Sequence, residues 1–242
     1  MSQMSLLPII LVDEQPPEPG NSKDLLWVGF DEQDRRYALK TVEPAHKLLP
    51  LTEWLCYHLC ALAGILTPDF AIVKRLDGSE AFGSRWEENA KQFSPGKVSD
   101  AEFISWLTRA RADVSAMFAL DAFMPNDDRH LANILFTQSG PRLRALAFDW
   151  SRTCFFEPWP WGPQSNSAKV WRWLLSMPLM VDHAAVKTRM DRIQAITGAQ
   201  VETILQAAPG LWRDNFDCAA AGQWWQDQSS TRAKKAIQLL TL

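Results

Sequence analysis

The apolar positions of this chain change rhythm partway along it. LLPIILV at 6–12, LLWVGF at 25–30 and YALKTV at 37–42 are short runs rich in branched and aromatic residues, which predict strands. DEQDRR separates the last two as a charged turn, so the expectation is a small antiparallel sheet. Between the first two strands, EQPPEPGNSKD combines prolines that stiffen the approach with Gly20, Asn21 and Ser22, which tolerate tight backbone turns. Residues 51–64 shift to helical spacing, with Thr52 near the start and Gly64 at the end, and AIVKRL at 71–76 returns to a strand. GSEAFGSRWEENAKQFSPGK, residues 78–97, is polar and punctuated by Gly and Pro. It predicts a connector ending near residue 98, after a small β-rich unit that runs to about residue 80.

Beyond the connector the spacing is helical. Ser99 followed by Glu102 has the form of a capping box, and Phe103, Ile104, Trp106, Leu107, Val114, Met117, Phe118 and Leu120 recur on one helical period until Pro125 stops it. ILF, TQSGPR and LRALAF then predict two strands joined by a short turn. In an antiparallel hairpin the residue before the first strand and the residue after the second meet at the open end. Asn133 and Asp149 become neighbours, and Asp128 hangs from the same mouth. From about residue 165 the chain reads as helices: SAKVWRWLL, DHAAVKTRMDRIQAIT closed by Gly198, VETILQAA, and an amphipathic tail to Leu242. The reading is α+β in two parts, 1–98 and 99–242.

Composition narrows the partners. With 47% hydrophobic and 22% charged residues over 242 positions, the chain can bury a real core as one large domain or two lobes. A net charge of −3 and a pI near 5.8 give no global reason to expect nucleic acid or an anionic membrane. MSQMSLLPIILVDE has a short apolar run with no basic residue before it, so it reads neither as a secretory signal nor as a spanning helix, and a cytoplasmic location is expected. The cysteines at 56, 60, 154 and 218 are too scattered for a disulfide scaffold. Cys56 and Cys60 share one helical stripe and read as core thiols, and His46, His58, His130 and His183 form no zinc-type arrangement. Of the 12 tryptophans, Trp54, Trp106, Trp171 and Trp173 fall in apolar helical patterns. Trp159 and Trp161, in a proline-rich loop after Asp149, do not.

The polar cluster PNDDRHLANILF, residues 125–136, crowds Asn126, Asp127, Asp128, Arg129, His130 and Asn133 against a core strand, where unpaired polar groups are costly. An amide and a carboxylate oxygen meeting beside a third oxygen group can hold Mg²⁺ with few protein ligands, the remainder coming from water and substrate phosphates. Asp128 to Asn133 is D-x-x-x-x-N, the interval of the protein-kinase catalytic loop, and a hairpin leading to a metal-binding Asp, here Asp149, continues that pattern. A loop at Gly20 to Lys23, a strand lysine at Lys40 and a helix glutamate at Glu53, placed to pair with it, precede it in order.

Taken together, PGNSK, YALK with TEWLCYHLCALAGILTPDFAIV, NDDRHLANILF and AFDWS resemble the HipA-like kinases, the bacterial family related to persistence-toxin Ser/Thr kinases, and especially its short members. AFGSRW, 81–86, is similar to an element of those short members, and DRHxxN is shared with phosphoinositide-type lipid kinases. The resemblance implies a bilobal protein-kinase-like fold with a small β-rich N-lobe and a larger helical C-lobe, and ATP and Mg²⁺ as cofactors. It implies that Gly20, Asn21, Ser22 and Lys23 lie on the nucleotide phosphates, that Lys40 contacts them with Glu53 beside it, and that Asp128 accepts or orients the acceptor hydroxyl. His130 would brace the loop or steady developing charge, and Asn133 and Asp149 would bind Mg²⁺. The expected partners are ATP, a protein substrate and a regulatory antitoxin-like protein, although the chain leaves no room for the separate N-terminal domain of long HipA proteins. Ser22, the hydroxyl of PGNSK, is the matching site for silencing by autophosphorylation. A lipid or small-molecule kinase and a pseudokinase binding module are the competing readings.

Overall fold

The structure, a computed structural model, describes residues 7–17, 25–94, 96–153 and 159–241. Five strands close into a barrel: β1 (Ile9–Gln15), β2 (Trp27–Asp31), β3 (Arg36–Lys40), β4 (Phe70–Lys74) and β5 (Glu80–Arg85), in the order β1-β2-β3-β5-β4. Neighbours are antiparallel except β1 and β4, whose parallel pairing completes the ring. Leu11, Tyr37, Leu39, Val73 and Ala81 fill its interior. So narrow a ring leaves no room for side chains everywhere: a Cβ on Gly29 would stand 2.4 Å from Leu11 Cδ1, and one on Gly83 2.6 Å from Val73 Cγ1.

β5 corrects the sequence reading, which placed residues 80–85 at the start of a connector. Ala81, Phe82 and Gly83 are buried in succession, because one face of the strand meets the barrel interior and the other meets a helix. A strand covered on both faces has no polar alternation to betray it. That helix is α1 (Leu49–Ala63), which has Pro50 in its first turn and ends at Gly64, whose φ of 73° the missing side chain permits. Tyr57 on α1 packs edge-on against Phe82, with ring centroids 4.9 Å apart. Cys56 and Cys60 lie fully buried in the main core, as expected of packing thiols.

The single helix expected before Pro125 is two, α2 (Asp100–Arg109) and α3 (Arg111–Phe123), broken at Ala110. Ser99 caps α2 by accepting from Glu102 N at 3.3 Å. β6 (Lys91–Gln92) adds to the hairpin of β7 (Ile134–Ser139) and β8 (Arg142–Ala147) as a three-stranded sheet. α4 (Asn166–Ser176), α5 (His183–Ala195) and α7 (Cys218–Thr241) pack around α3, and α6 (Gly198–Gln206) lies against α7 and α1. Gly198 does not close the preceding helix but opens α6, behind a capping box at Thr197. It is glycine because a Cβ there would stand 2.2 Å from the Gly222 carbonyl of α7. One continuous core runs from α1 and Phe82 through these helices. Trp161, set apart in the sequence reading, belongs to it, and Trp159 Nε1 donates to Ala122 O at 2.9 Å. Among the described residues no helix is long and apolar enough to cross a membrane.

Candidate active site

The polar cluster begins where α3 ends. Asn126 is wholly buried, and its side chain donates to Asp121 Oδ1 at 2.9 Å while its own oxygen accepts from Asp128 N at 3.2 Å. Arg129 is also fully buried and grips the same Asp121 with Nε at 2.8 Å and Nη2 at 3.0 Å. Burial works against its charge, but Asp121 outweighs it and pushes the guanidinium pKa up. The remaining donor, Nη1, reaches the carbonyls of Asn133, at 2.8 Å, and Phe148. These residues flank β7 and β8, so one arginine holds both ends of the hairpin mouth. Trp150 completes the box, stacked under Arg129 at 4.9 Å and donating to Asp121 Oδ1 at 3.1 Å. The crowding of polar residues is thus largely scaffolding, with each buried group satisfied by another.

Register does the rest. Ile134 pairs with Ala147, which puts Asn133 and Phe148 just beyond the last rung, followed by Asp149. Asp149 has φ 63°, a left-handed conformation that Asp adopts more readily than most residues and that turns the chain sharply out of β8. Lys40 Nζ lies 2.8 Å from Ser151 Oγ and 3.3 Å from Asp149 Oδ1. Asp149 Oδ1 also accepts from Ser151 N at 3.4 Å, and Ser151 Oγ is 2.7 Å away. Burial would raise the Asp149 pKa, yet Lys40 and the Ser151 hydroxyl hold it down at about 2. Glu53, 1% exposed, accepts from Trp150 N at 3.0 Å and from Ser151 Oγ at 3.1 Å, and its Oε2 is buried with no hydrogen bond. Burial pushes this carboxyl up to about 7 against the pull of Lys40, with Asp149 adding to the rise. Ser151 therefore stands between Lys40 and Glu53, which sequence reasoning expected to meet directly.

Lys40, Glu53, Asp128, His130, Asn133 and Asp149 all line one cleft of about 1050 Å³. Gly20, Asn21, Ser22 and Lys23 lie outside the described residues. Asp128 Oδ1 accepts from Asn166 Nδ2 at 2.5 Å. His130 N donates to Asp128 O at 2.9 Å, fixing the turn that carries both. Asn133 Nδ2 is committed to Asp128 O at 3.0 Å, which leaves its carbonyl oxygen as the group for a cation. On Asp149 every hydrogen bond among the described residues falls on Oδ1, leaving Oδ2. Among those residues no three His, Cys, Asp or Glu gather as a metal site. An ionised carboxylate and one amide oxygen fit a hard cation such as Mg²⁺ that keeps water and takes phosphate oxygens, and they do not fit zinc. Arg129, Asp121, Trp150 and Ser151 were given no role in the sequence reading. Trp150 and Ser151 were signalled by AFDWS and Arg129 by DRHxxN, while no motif marked Asp121.

The arrangement occurs on a known fold. No family model matches the sequence, and no curated protein matches it. Among solved structures the chain is similar to the Helicobacter pylori proinflammatory kinase CtkA, at 12% identity and TM-score 0.56, over 97% of each chain. It is also similar to the HipA toxin in the Shewanella oneidensis MR-1 complex of HipA, HipB and operator DNA, at 12% identity and TM-score 0.51. That match covers 89% of this chain and 60% of the other. The resemblance to HipA-like kinases, read from short motifs, extends to the mixed α/β fold.

Proposed function

We propose that the chain is an ATP- and Mg²⁺-dependent phosphotransferase, a HipA-like serine/threonine protein kinase that transfers the γ-phosphate to a protein hydroxyl. The observation that carries this reading is the convergence, at the open end of one hairpin, of an ionised Asp149 with Oδ2 left over, the Asn133 amide, the Lys40 ammonium and the Asp128 carboxylate. In this reading residues 1–98 form the N-lobe and 99–242 the C-lobe. Leu25, Ala38, Leu135 and Phe148 give the cleft an apolar part suited to a planar base.

Asn133 and Asp149 would hold Mg²⁺, which when bound neutralises phosphate charge and orients the group in transfer. Lys40 would exchange its contact with Asp149 for a phosphate oxygen. Asp128, with Oδ1 held by Asn166, would use Oδ2 to orient the acceptor hydroxyl and take its proton. His130 would brace that loop. Phosphoryl transfer asks a protein mostly for positioning and charge neutralisation, and the Arg129 box supplies the rigidity for both. Incubating the purified protein with γ-labelled ATP and Mg²⁺ in host lysate, followed by mapping of the product, tests the reading. Label on serine or threonine that disappears with Asp128→Ala is expected. Label confined to lipid or a small metabolite would shift the acceptor class, and no label at all would leave a binding module.

A further inference from the structure

Ser151 touches two groups central to the cleft: its Oγ is 2.8 Å from Lys40 Nζ and 2.7 Å from Asp149 Oδ1. The same oxygen lies 3.1 Å from Glu53 Oε1. A serine hydroxyl has one proton, so it serves one of the two carboxylates at a time and accepts from the ammonium in either case. Ser151 is 4% exposed and Glu53 1%, so water does not stand in for either partner. Glu53 is otherwise hard to explain. A carboxylate wholly buried on α1, with Oε2 bonded to nothing, is costly unless its other oxygen has a task.

We propose that Ser151 is a positioning residue that sets the affinity of Asp149 for the divalent cation, handing its single hydrogen bond from Asp149 to Glu53 when the cation engages Asp149. The inference rests on the phosphotransferase reading. In the resting arrangement the hydroxyl donates to Asp149 Oδ1, fixes the rotamer of that carboxylate, and gives Lys40 a nearer acceptor than the 3.3 Å contact with Asp149. It thereby keeps the ammonium from settling fully on the carboxylate that the cation needs. In the loaded arrangement the proton turns to Glu53 Oε1, and Asp149 is freed of a donor without a buried group losing its partner. Nothing covalent changes; one O–H rotor moves between two acceptors already in place.

Groups that orient a metal ligand commonly change metal affinity 10- to 100-fold when removed. Binding of Mn²⁺, followed by electron paramagnetic resonance of the free ion in the presence of a non-hydrolysable ATP analogue, reads this without turnover. Ser151→Ala is expected to weaken Mn²⁺ binding about 10-fold or more, and Ser151→Thr, which keeps the hydroxyl, to stay within about 3-fold of the parent. Ser151→Cys preserves the volume but replaces the hydroxyl with a poor acceptor, and it should weaken binding as alanine does. Melting temperatures identify the variants that are folded. If either folded variant lacking the hydroxyl binds Mn²⁺ like the parent, the inference is overturned. Asp149→Asn separates the two levels of the account: its loss of Mn²⁺ binding alongside an unaffected Ser151→Ala would sink the role of Ser151 alone. Unchanged binding by Asp149→Asn would remove the metal assignment beneath it.

Discussion

Glu53 and Asp149 sit two hydrogen bonds apart through Ser151 and are driven in opposite directions, and that contrast is measurable. The Glu53 pKa is raised to about 7 in the folded protein from 4.5. Between those values the folded state binds a proton that the unfolded chain has released. The contribution is therefore fully present below pH ~4.5 and is lost as pH rises through about 7. At 1.36 kcal/mol per unit the difference amounts to about 3 kcal/mol. Asp149 runs the other way: with its pKa lowered to about 2, its contribution is present above pH ~3.8 and disappears as pH falls through the folded value. Burial lowers the His58 pKa to about 4, which adds an opposing rise in stability up to pH ~6.5 in parent and variant alike. The test is therefore the difference: in thermal unfolding from pH 5 to 8 the parent should lose stability relative to Glu53→Gln, and parallel profiles would contradict the assignment. Neither shift was legible from the sequence, which supplied a helix glutamate and a motif aspartate but not the serine that joins them. Lys40 and Glu53 line one cleft, yet the intervening hydroxyl comes from a residue 98 positions beyond Glu53.

Elements were most legible where local rules dominate. The β7–β8 hairpin follows from two apolar runs and a Gly-Pro turn, and its antiparallel register brings Asn133 and the residues after Ala147 to one end. The barrel was less so, since β5 is buried on both faces and closure depends on a parallel pairing between strands far apart in sequence. Gly198 misled for a related reason: a glycine at the end of a helical pattern resembles a stop, while here its role is the close crossing of α6 and α7. Gly198→Ala should destabilise the protein by about 1–3 kcal/mol, because the new methyl meets backbone that can yield only if the helices separate. Urea denaturation would check this, and a neutral result would mean that α7 is not docked as described. The Arg129 box makes a stronger demand. Arg129→Ala leaves Asp121 buried and uncompensated and should cost about 3–5 kcal/mol. Because the box fixes the hairpin mouth, nucleotide and metal affinity should fall with it in whatever fraction remains folded, as titration under native conditions would show.

For the molecule as a whole, the fold places a barrel, a buried helix and a hairpin mouth around one cleft, and Glu53 and Asp149, whose pKa values are pushed in opposite directions, both line it. The broad α+β character and the order of the motifs could be read in advance because hydrophobic rhythm and short polar motifs are local properties. What could not be read was how the site is held, since Arg129, Asp121 and Trp150 act through burial that only the assembled core creates. The central claim is that this cleft transfers phosphate with Asp149 facing the cation, and the most direct test is the transfer rate from γ-labelled ATP at saturating Mg²⁺ for the parent and Asp149→Asn. The account predicts a loss of at least about 100-fold in rate in a variant still folded at the assay temperature, though melting below the parent for want of the Asp149 charge beside Lys40, and a variant that transfers phosphate at the parent rate would contradict it.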